Sequence, residues 1–467
     1  MKSKNHSSNL KKNSVSLFGA LAMSAAFMGP AVSVFFNMVP AANAAGKAFP
    51  LSFLLSMIAI LFISNSVIQY SKKVNGASFA FAYTSHGFGP NAGFVSGWIL
   101  LFAYAMISPI TYAGFGVMLS EFLSRQFGIH ISWWIFFVLI GAVVSGLSYF
   151  GVNHSTKTTL IFLFLELIAI IALFVSVIMQ GHNSVEPFLV SDSTHGMSSI
   201  GLGMVYGILS FVGFEAAANL GEETKNANKN IPKAITISVI LIGLLYVIGA
   251  YVADIAFNNN AAAIAKNASP FDTIARNYWG NNLAWLISLT ALNSVFANAV
   301  AGQTSIVRNL FSLGRARILP RAIGYTNHNG VPVNAIIFDF VLSMILGSTV
   351  GLWLGGWGVW NLLGGMMSLG LIIVYGLVTI SLPFFYKRQY PKEYSRVKHL
   401  LFPIIGTLLL ILPLYSSLWP IPEFPYNLAP YLIIAWIITG AIYLRQMKKK
   451  RADIVEQFGS TFKDESA

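Results

Sequence analysis

The stretch Ser210–Ile235, SFVGFEAAANLGEETKNANKNIPKAI, changes character twice along its length. It begins apolar, carries one acid at Glu215, and becomes charged from Glu222 onward. Gly213 destabilises a helix interior, because glycine loses more backbone freedom on folding than any other residue. An acid inside an apolar segment usually faces a protein interior or a water path. The stretch therefore predicts a helix break beside a buried carboxylate.

The composition of the whole chain is typical of a membrane protein. Of its 467 residues, 55% are hydrophobic and 10% are charged, and the mean hydropathy is +0.67. Soluble domains carry about 25% charged residues. Apolar runs of about 20 residues recur, and such a run is long enough to cross the hydrocarbon core as a helix. The short alternating segments of a β-barrel are not seen. We therefore predict an all-α, multi-pass membrane protein.

The apolar runs divide the chain into about twelve predicted spans. We expect a tail at 1–14, a first group of five spans within 15–180, a second group of five within 198–385, two further spans within 399–446, and a tail at 447–467. The predicted spans lie at 15–42, 49–70, 91–124, 132–150, 158–180, 198–221, 233–257, 283–312, 332–350, 356–385, 399–416 and 427–446.

Basic residues fall almost entirely on one side of these spans. If the N-terminus is cytoplasmic, all but four of the 29 Lys and Arg residues lie on the cytoplasmic side. The four exceptions are Lys47, Arg125, Lys266 and Arg276. This bias fits the positive-inside rule and predicts that both termini are cytoplasmic, with the plasma membrane as the location. It also accounts for the net charge of +13 without a nucleic-acid partner.

Several other functions are disfavoured by what the sequence contains. The N-terminal apolar stretch imitates a signal peptide, but it is too long and is interrupted by Gly29-Pro30, so we interpret it as an uncleaved first span. The chain has no cysteine, and no two of its eight histidines share a helix face at ligand spacing. With no nucleophile–base pair and no metal cluster in the pattern, we expect neither an enzyme nor a cofactor.

The first predicted span contains a second break, AAFMGPAVSVFF, Ala25–Phe36. Proline removes a backbone donor, so the helix is interrupted there. Phe27-Met28-Gly29 aligns with Phe211-Val212-Gly213, five spans later and in the opposite direction. Matched breaks in inverted halves indicate a transporter binding site, because their unsatisfied backbone groups must line a cavity. The predicted substrate-binding residues are Ala26, Phe27, Met28, Gly29, Pro30, Ala31, Phe211, Val212, Gly213 and Phe214.

These motifs together resemble one known family. FVGFEAAANLGEETKNANKNIPKAI is similar to the sixth-span signature of the amino acid–polyamine–organocation superfamily of permeases, although Asn228 stands where that family usually has proline. AAFMGPAVSVFF resembles its first-span break, and Lys72–Trp98 resembles the loop that enters its third span. The resemblance covers predicted spans 1 to 8. It implies a LeuT-like, five-plus-five inverted repeat with two extra C-terminal helices, and secondary active uptake.

Three acids lie deep in predicted spans: Glu166, Glu215 and Asp339. The resemblance implies a gating or proton-linked role for Glu215. The resemblance also implies that some proton-coupled relatives have a lysine at the fifth-span position of Glu166, and that its ammonium group replaces a sodium ion. In this sequence the position is an acid. We therefore expect proton coupling or gating by Glu215 and Glu166, and a packing or local hydrogen-bonding role for Asp339 in its peripheral span.

The charged residues after the sixth and eighth predicted spans form two clusters. The first cluster consists of Glu222, Glu223, Lys225, Lys229 and Lys233, and the second consists of Arg308, Arg315, Arg317 and Arg321. We expect a solvated cytoplasmic face, with the arginines setting the topology. A salt-bridge gate between the two clusters is the alternative.

We therefore predict a proton-coupled amino acid importer that works as a monomer or homodimer. The substrate α-carboxylate should lie against the N–H groups of Met28–Ala31, and the α-ammonium against carbonyls of Phe211–Gly213. The alternatives are a permease for putrescine or another organic amine, and an amino acid exchanger. Ala103 stands where the resembling putrescine permeases carry an acid, which favours amino acids. Sodium coupling would instead use Thr304, Ser305 and the carbonyls of Ala25–Met28.

Overall fold

The computed structural model describes residues 10–180, 184–267, 269–419, 421 and 423–450, apart from the side chains of residues 153, 154 and 192. The predicted tails fall partly outside these ranges, since residues 1–9 and 451–467 are not among them. Within the described ranges every regular element is helical, and the β-structure consists of two isolated bridges, Val15–Thr224 and Gly46–Ser193. The predicted all-α membrane class is confirmed.

The described residues contain ten helical segments that are long and apolar enough to cross a membrane. They are Leu17–Ala45, Phe49–Ser71, Pro90–Phe127, Ser155–Gln180, Met197–Asn219, Ala227–Ala256, Asn281–Arg315, Val333–Gln389, Val397–Ser416 and Leu428–Lys450. A shorter apolar helix spans Trp133–Tyr149. Three helices in the connections are Phe79–Phe88, Ala261–Ala265 and Pro270–Trp279.

The longest helical segment, Val333–Gln389, is interrupted at one residue. Its 57 residues correspond to about 85 Å of ideal helix, more than twice the thickness of the hydrocarbon core. Gly355 has φ 72° and ψ 178°, a conformation outside the helical region. This position lies between the two spans predicted at 332–350 and 356–385, so the helix direction changes where the sequence predicts a connection.

The first broken segment, Leu17–Ala45, is interrupted at Gly29. Its first helix ends at Met28, Gly29 takes the left-handed conformation with φ 60°, and the chain resumes as a helix at Pro30. A β-carbon at Gly29 would lie 2.5 Å from Cγ1 of Val32 and 2.6 Å from Nδ2 of Asn298. Glycine is therefore required both by the backbone conformation and by the close approach of a neighbouring helix.

The second broken segment, Met197–Asn219, is interrupted around Gly213. The helix Met197–Phe211 ends there, and a short helix follows at Ala216–Asn219. Gly213 has φ 107°, and a β-carbon on it would lie 2.5 Å from Cγ of Phe27. The two predicted breaks are confirmed, and they pack directly against each other.

The broken segments lie at the centre of the bundle. The helix Leu17–Met28 packs against Val152–Gln180, Ala227–Ala256 and Asn281–Arg315. The last two spans, Val397–Ser416 and Leu428–Lys450, bury only 28% and 22% of their most apolar stretch and lie at the periphery. Below, the end of the bundle that carries Leu17 is called the N-terminal side, and the other end is called the opposite side.

The N-terminal side is closed by charged residues that we expected to be solvated. Nε and Nη2 of Arg308 donate to the two carboxylate oxygens of Glu223 at 2.9 and 3.1 Å, and these side chains are only 6% and 2% exposed. Arg315 makes a similar two-pronged pair with Glu222. The solvated-face expectation is wrong for Glu222 and Glu223, because pairing lets their charges be buried or partly buried. It holds for the lysines of the same cluster, since Lys225, Lys229 and Lys233 are exposed. The pairing that we gave as the alternative is present.

Candidate functional site

The carbonyl groups exposed by the two breaks are held by side chains from neighbouring helices. The Tyr246 hydroxyl lies 2.6 Å from the carbonyl oxygen of Met28 and 2.8 Å from that of Ser210. A tyrosine hydroxyl carries one proton, so two carbonyls, one from each broken segment, share a single donor. Asn298 Nδ2 donates to the carbonyl of Phe27 at 2.7 Å. The breaks are therefore fastened to each other and to the helices around them.

Glu215 lies fully buried just after the second break and accepts three hydrogen bonds. The hydroxyls of Tyr104 and Tyr375 donate to its two oxygens at 2.7 and 2.9 Å, and the N–H of Gly213 donates at 3.2 Å. Asn219 Nδ2 in turn donates to the Tyr104 hydroxyl at 3.2 Å. All three groups around the carboxyl are placed as donors, which is the arrangement that suits an ionised carboxylate.

Glu166 lies buried beside the first break, and its surroundings differ from those of Glu215. It faces the Ser294 hydroxyl and the N–H of Ala31, but neither of its oxygens has a hydrogen-bond partner within the described residues. The Ser294 hydroxyl accepts instead from the N–H of Val32 at 3.2 Å. A buried carboxyl without hydrogen bonds is costly to charge, so this position favours a neutral acid or an incoming partner.

A cavity of about 450 Å³, called here the inner cavity, lies between the two breaks. All of its lining residues are uncharged, and most are apolar. They are Phe27, Met28, Val32, Ser33, Asn37, Ile107, Ile110, Thr111, Leu209, Val212, Asn298, Trp360, Gly364 and Met367. A mainly apolar lining with a few polar groups is typical of a small-molecule site.

The sequence profile of the family described as "amino acid permease" matches residues 21–454, which is nearly the whole chain. The chain belongs to the amino acid permease family. It is therefore a multi-pass membrane protein of amino acid transport and is not an enzyme.

Individual relatives are distant but cover most of this permease. It is 23% identical to a branched-chain amino acid permease of Lactococcus lactis, over 75% of this chain and 77% of the relative. It is 25% identical to a gamma-aminobutyric acid permease of Bacillus subtilis, over 89% of both chains. It is also 22% identical to a low-affinity putrescine importer of Escherichia coli, over 88% of both chains.

The residues predicted for substrate binding fall into two groups in the permease. Phe27, Met28 and Val212 line the inner cavity. The others lie in the two breaks but are not among the lining residues: Ala26, Gly29, Pro30, Ala31, Phe211, Gly213 and Phe214. Glu166 and Glu215 also lie outside the lining, so both acids stand behind the cavity wall.

Several neutral polar residues at the site were missed by the sequence reasoning. Tyr246 and Asn298 hold the breaks, and Asn37 donates to the Ser210 hydroxyl at 2.9 Å. A charged residue within an apolar span stands out in the sequence, whereas a neutral polar side chain in such a span carries a weaker signal. A tyrosine within the apolar run LIGLLYVIGAYV is the kind of residue that a search for buried hydroxyls finds.

Asp339 lies in a separate buried network away from the breaks. One of its oxygens accepts from the Ser108 hydroxyl at 2.8 Å and from Gln303 Nε2 at 3.3 Å. The same Gln303 nitrogen donates to the Ser145 hydroxyl at 2.9 Å. These contacts join several helices through neutral groups, in agreement with the packing and local hydrogen-bonding role expected for Asp339.

Proposed function

We propose that this permease imports neutral amino acids across the plasma membrane by proton symport. The observation that carries the proposal is the inner cavity, whose lining contains no charged side chain although two buried carboxyls stand behind it. A substrate with a net charge would be buried there without a partner, at a cost of several kcal/mol. A zwitterion with a neutral side chain has no net charge and needs polar partners at one end only.

The first break supplies the polar end of the proposed site. We place the α-carboxylate against residues 28–31, where the positive end of the second half-helix favours an anion. Asn298 lies in the same region. Its side-chain amide has two N–H groups and donates one of them to the Phe27 carbonyl, which leaves the second for the substrate carboxylate. We place the α-ammonium against the carbonyls of Phe211–Gly213, and the apolar wall formed by Ile107, Leu209 and Met367 against the side chain.

The two acids take different parts in the proposed coupling. Glu166, which has no hydrogen bond in the described structure, carries the symported proton beside the first break. Glu215, with its three donors, holds the second break in a conformation that depends on its charge. Movement of the first break then changes the surroundings of Glu166, which links proton binding to substrate access.

The proposed topology follows the inverted repeat. Counting Trp133–Tyr149 as a span and dividing Val333–Gln389 at Gly355 yields twelve. We assign the segments within 15–180 and 198–385 to two inverted repeats and those within 399–446 to the two additional helices. The positive-inside bias supports a cytoplasmic position for both termini. The protein acts as a monomer or as a homodimer of such units.

The test is uptake into proteoliposomes. Purified protein is first screened by thermal stabilisation against the twenty amino acids and several amines. The best ligand, radiolabelled, is then offered under an inward proton gradient, an inward sodium gradient, or neither. We expect accumulation with the proton gradient alone. Accumulation driven by sodium, without any response to pH, would show that sodium is the coupling ion. Its ligands would then be Thr304, Ser305 and the carbonyls of Ala25–Met28. Counterflow without accumulation would identify an exchanger.

A further inference from the structure

A second cavity of about 570 Å³, called here the outer cavity, lies on the opposite side of the bundle. It has an apolar wall that includes Phe36 and Phe271 and a charged rim formed by Glu121, Arg125, Asp272 and Arg276. The rim residues come from two separate helices, Ile107–Phe127 and Pro270–Trp279. The cavity therefore brings two cations and two anions to one opening.

The charge distribution of the chain makes this rim unusual. Only Lys47, Arg125, Lys266 and Arg276 fall on the side that the positive-inside rule leaves poor in basic residues. Two of these four cations line the outer cavity, and the other two do not. Pairing with an acid on the same helix does not explain why Arg125 and Arg276, from two different helices, line the same cavity.

The rim charges are paired within their own helices by weak contacts. Arg125 donates to Glu121 at 3.2 Å and Arg276 donates to Asp272 at 2.9 Å, each across one helical turn. Three of these four side chains are at least 37% exposed. Exposed pairs of this kind are worth about 0.3–0.5 kcal/mol. A guanidinium carries five N–H donors, so each arginine can bind a carboxylate while it keeps its own acid nearby.

An aromatic partition separates the outer cavity from the inner one. Phe36 lines the outer cavity and Trp360 lines the inner cavity, with ring centres 6.2 Å apart. Trp357 packs against both rings, with its ring centre 5.0 Å from that of Phe36 and 6.4 Å from that of Trp360. Its Nε1 donates to Glu121 at 3.0 Å. One rim carboxylate is thus bonded both to a rim arginine and to the partition.

We propose that the outer cavity is a capture site for a zwitterionic amino acid, occupied before the substrate passes the Phe36–Trp360 partition. The carboxylate of the ligand binds Arg125 and Arg276, its ammonium binds Glu121 and Asp272, and its apolar side chain lies on Phe36 and Phe271. Binding at Glu121 weakens the bond to Trp357 and so loosens the partition. This inference rests on the proposed function for the direction of passage, but the binding site is testable alone.

The absence of native cysteine provides the experiment. Ser288, which lines the outer cavity, is changed to cysteine, and its labelling by a membrane-impermeant maleimide is followed in proteoliposomes. The probes are L-leucine, leucinamide and 4-methylpentanoate, which carry both charges, the cation alone and the anion alone on similar carbon skeletons. A Thr194→Cys variant, exposed on a different loop, is the labelling control.

We expect L-leucine to slow the labelling of Ser288→Cys at least fivefold, and the two single-charge probes to have little effect. Protection must persist when the inner cavity is filled by Gly364→Leu or, independently, by Met367→Trp. Arg125→Gln should raise the leucine concentration needed for protection at least tenfold. Lys266→Gln removes a cation from the same side without touching the cavity and should leave that concentration unchanged.

Three results would overturn the capture site. They are loss of protection when the inner cavity is filled, equal protection by 4-methylpentanoate or leucinamide, and equal effects of Arg125→Gln and Lys266→Gln. If the proposed function is wrong but the capture site exists, the results differ. L-leucine would still slow the labelling of Ser288→Cys, but the protein would accumulate no amino acid. Normal uptake without any protection at Ser288→Cys would remove the capture site and leave the proposed function standing.

Discussion

Glu215 and Glu166 are both buried, but their oxygens have opposite surroundings. Three donors surround Glu215, whereas Glu166 has no hydrogen bond within the described residues. Burial alone therefore does not tell what a carboxyl does in this permease. The three hydrogen bonds to Glu215 favour its charged form, whereas the Ser294 hydroxyl and the Ala31 N–H face Glu166 without completing a hydrogen bond, so a charge on Glu166 is more costly. This difference supports the proposed division, in which Glu215 holds the second break and Glu166 exchanges the proton.

The largest effect is expected from Glu215→Gln. The change removes the charge that three donors face, and hydrogen bonds to a charged group are worth about 1.5–3 kcal/mol. We expect uptake in proteoliposomes to fall by roughly 10- to 100-fold, while expression and thermal stability stay near those of the unchanged protein.

Asp339→Asn is the matched control for this variant, since it neutralises another buried acid that is hydrogen-bonded away from the breaks. It should keep most of its transport activity. If Glu215→Gln transports at the original rate from pH 5 to pH 8, the carboxylate has only a structural role. The proposed functional contrast between Glu215 and Glu166 then fails.

Glu166→Gln should separate accumulation from exchange. Without a titratable group beside the first break, an inward proton gradient no longer drives uptake, but the substrate site is unchanged. We expect at least a tenfold loss of gradient-driven accumulation, measured in proteoliposomes with an acidic exterior, and counterflow within about threefold of the original rate. If the variant accumulates substrate to the same level as the original protein, the symported proton must be carried by another residue.

Competition between ligands tests whether the two acids really stand behind the wall of the inner cavity. A diamine such as putrescine brings two ammonium groups, and the uncharged lining provides no partner for them. We expect the best amino acid to compete at least tenfold more strongly than putrescine or cadaverine, which corresponds to about 1.4 kcal/mol. Stronger displacement by a diamine would mean that Glu166 and Glu215 reach the ligand directly.

The smallest effect is expected from Tyr246→Phe. The hydroxyl is shared by the carbonyls of Met28 and Ser210, and a net hydrogen bond is worth about 0.5–1.5 kcal/mol. Uptake should fall roughly two- to tenfold, with no change in the preference for proton over sodium gradients. A loss as large as that of Glu215→Gln would show that the shared hydroxyl, and not the carboxylate, fixes the breaks.

Much of the fold follows from patterns that are local in sequence. The breaks at Gly29 and Gly213 were predicted because glycine and proline act on the backbone of their own segment. The connection near Gly355 was predicted from hydropathy alone. The connecting helices Phe79–Phe88 and Pro270–Trp279 were not predicted, since they are too short and too mixed in polarity to stand out from a loop.

The site was less predictable because its contacts join distant parts of the chain. The sequence identified Glu215 as a buried acid, but its donors Tyr104 and Tyr375 lie 111 and 160 residues away. The expectation of a solvated face at Glu223 failed for the same reason, since its partner Arg308 is 85 residues distant. A run of charged residues can be recognised in the sequence. Whether each charge pairs with an opposite charge on a distant helix is seen only in the packed structure.

The pairing of the N-terminal segment with the residues after the second break has a mechanical consequence. The N–H groups of Ser14 and Val15 donate to the carbonyl of Glu223, and the N–H of Lys225 donates back to the carbonyl of Val15. Ser24 adds a further bond to the carbonyl of Phe214 at 2.9 Å. The inner halves of the two broken segments therefore act as one stiff lever. We expect that opening of the N-terminal side would move these two segments together and break the ion pairs that Arg308 and Arg315 make with Glu223 and Glu222.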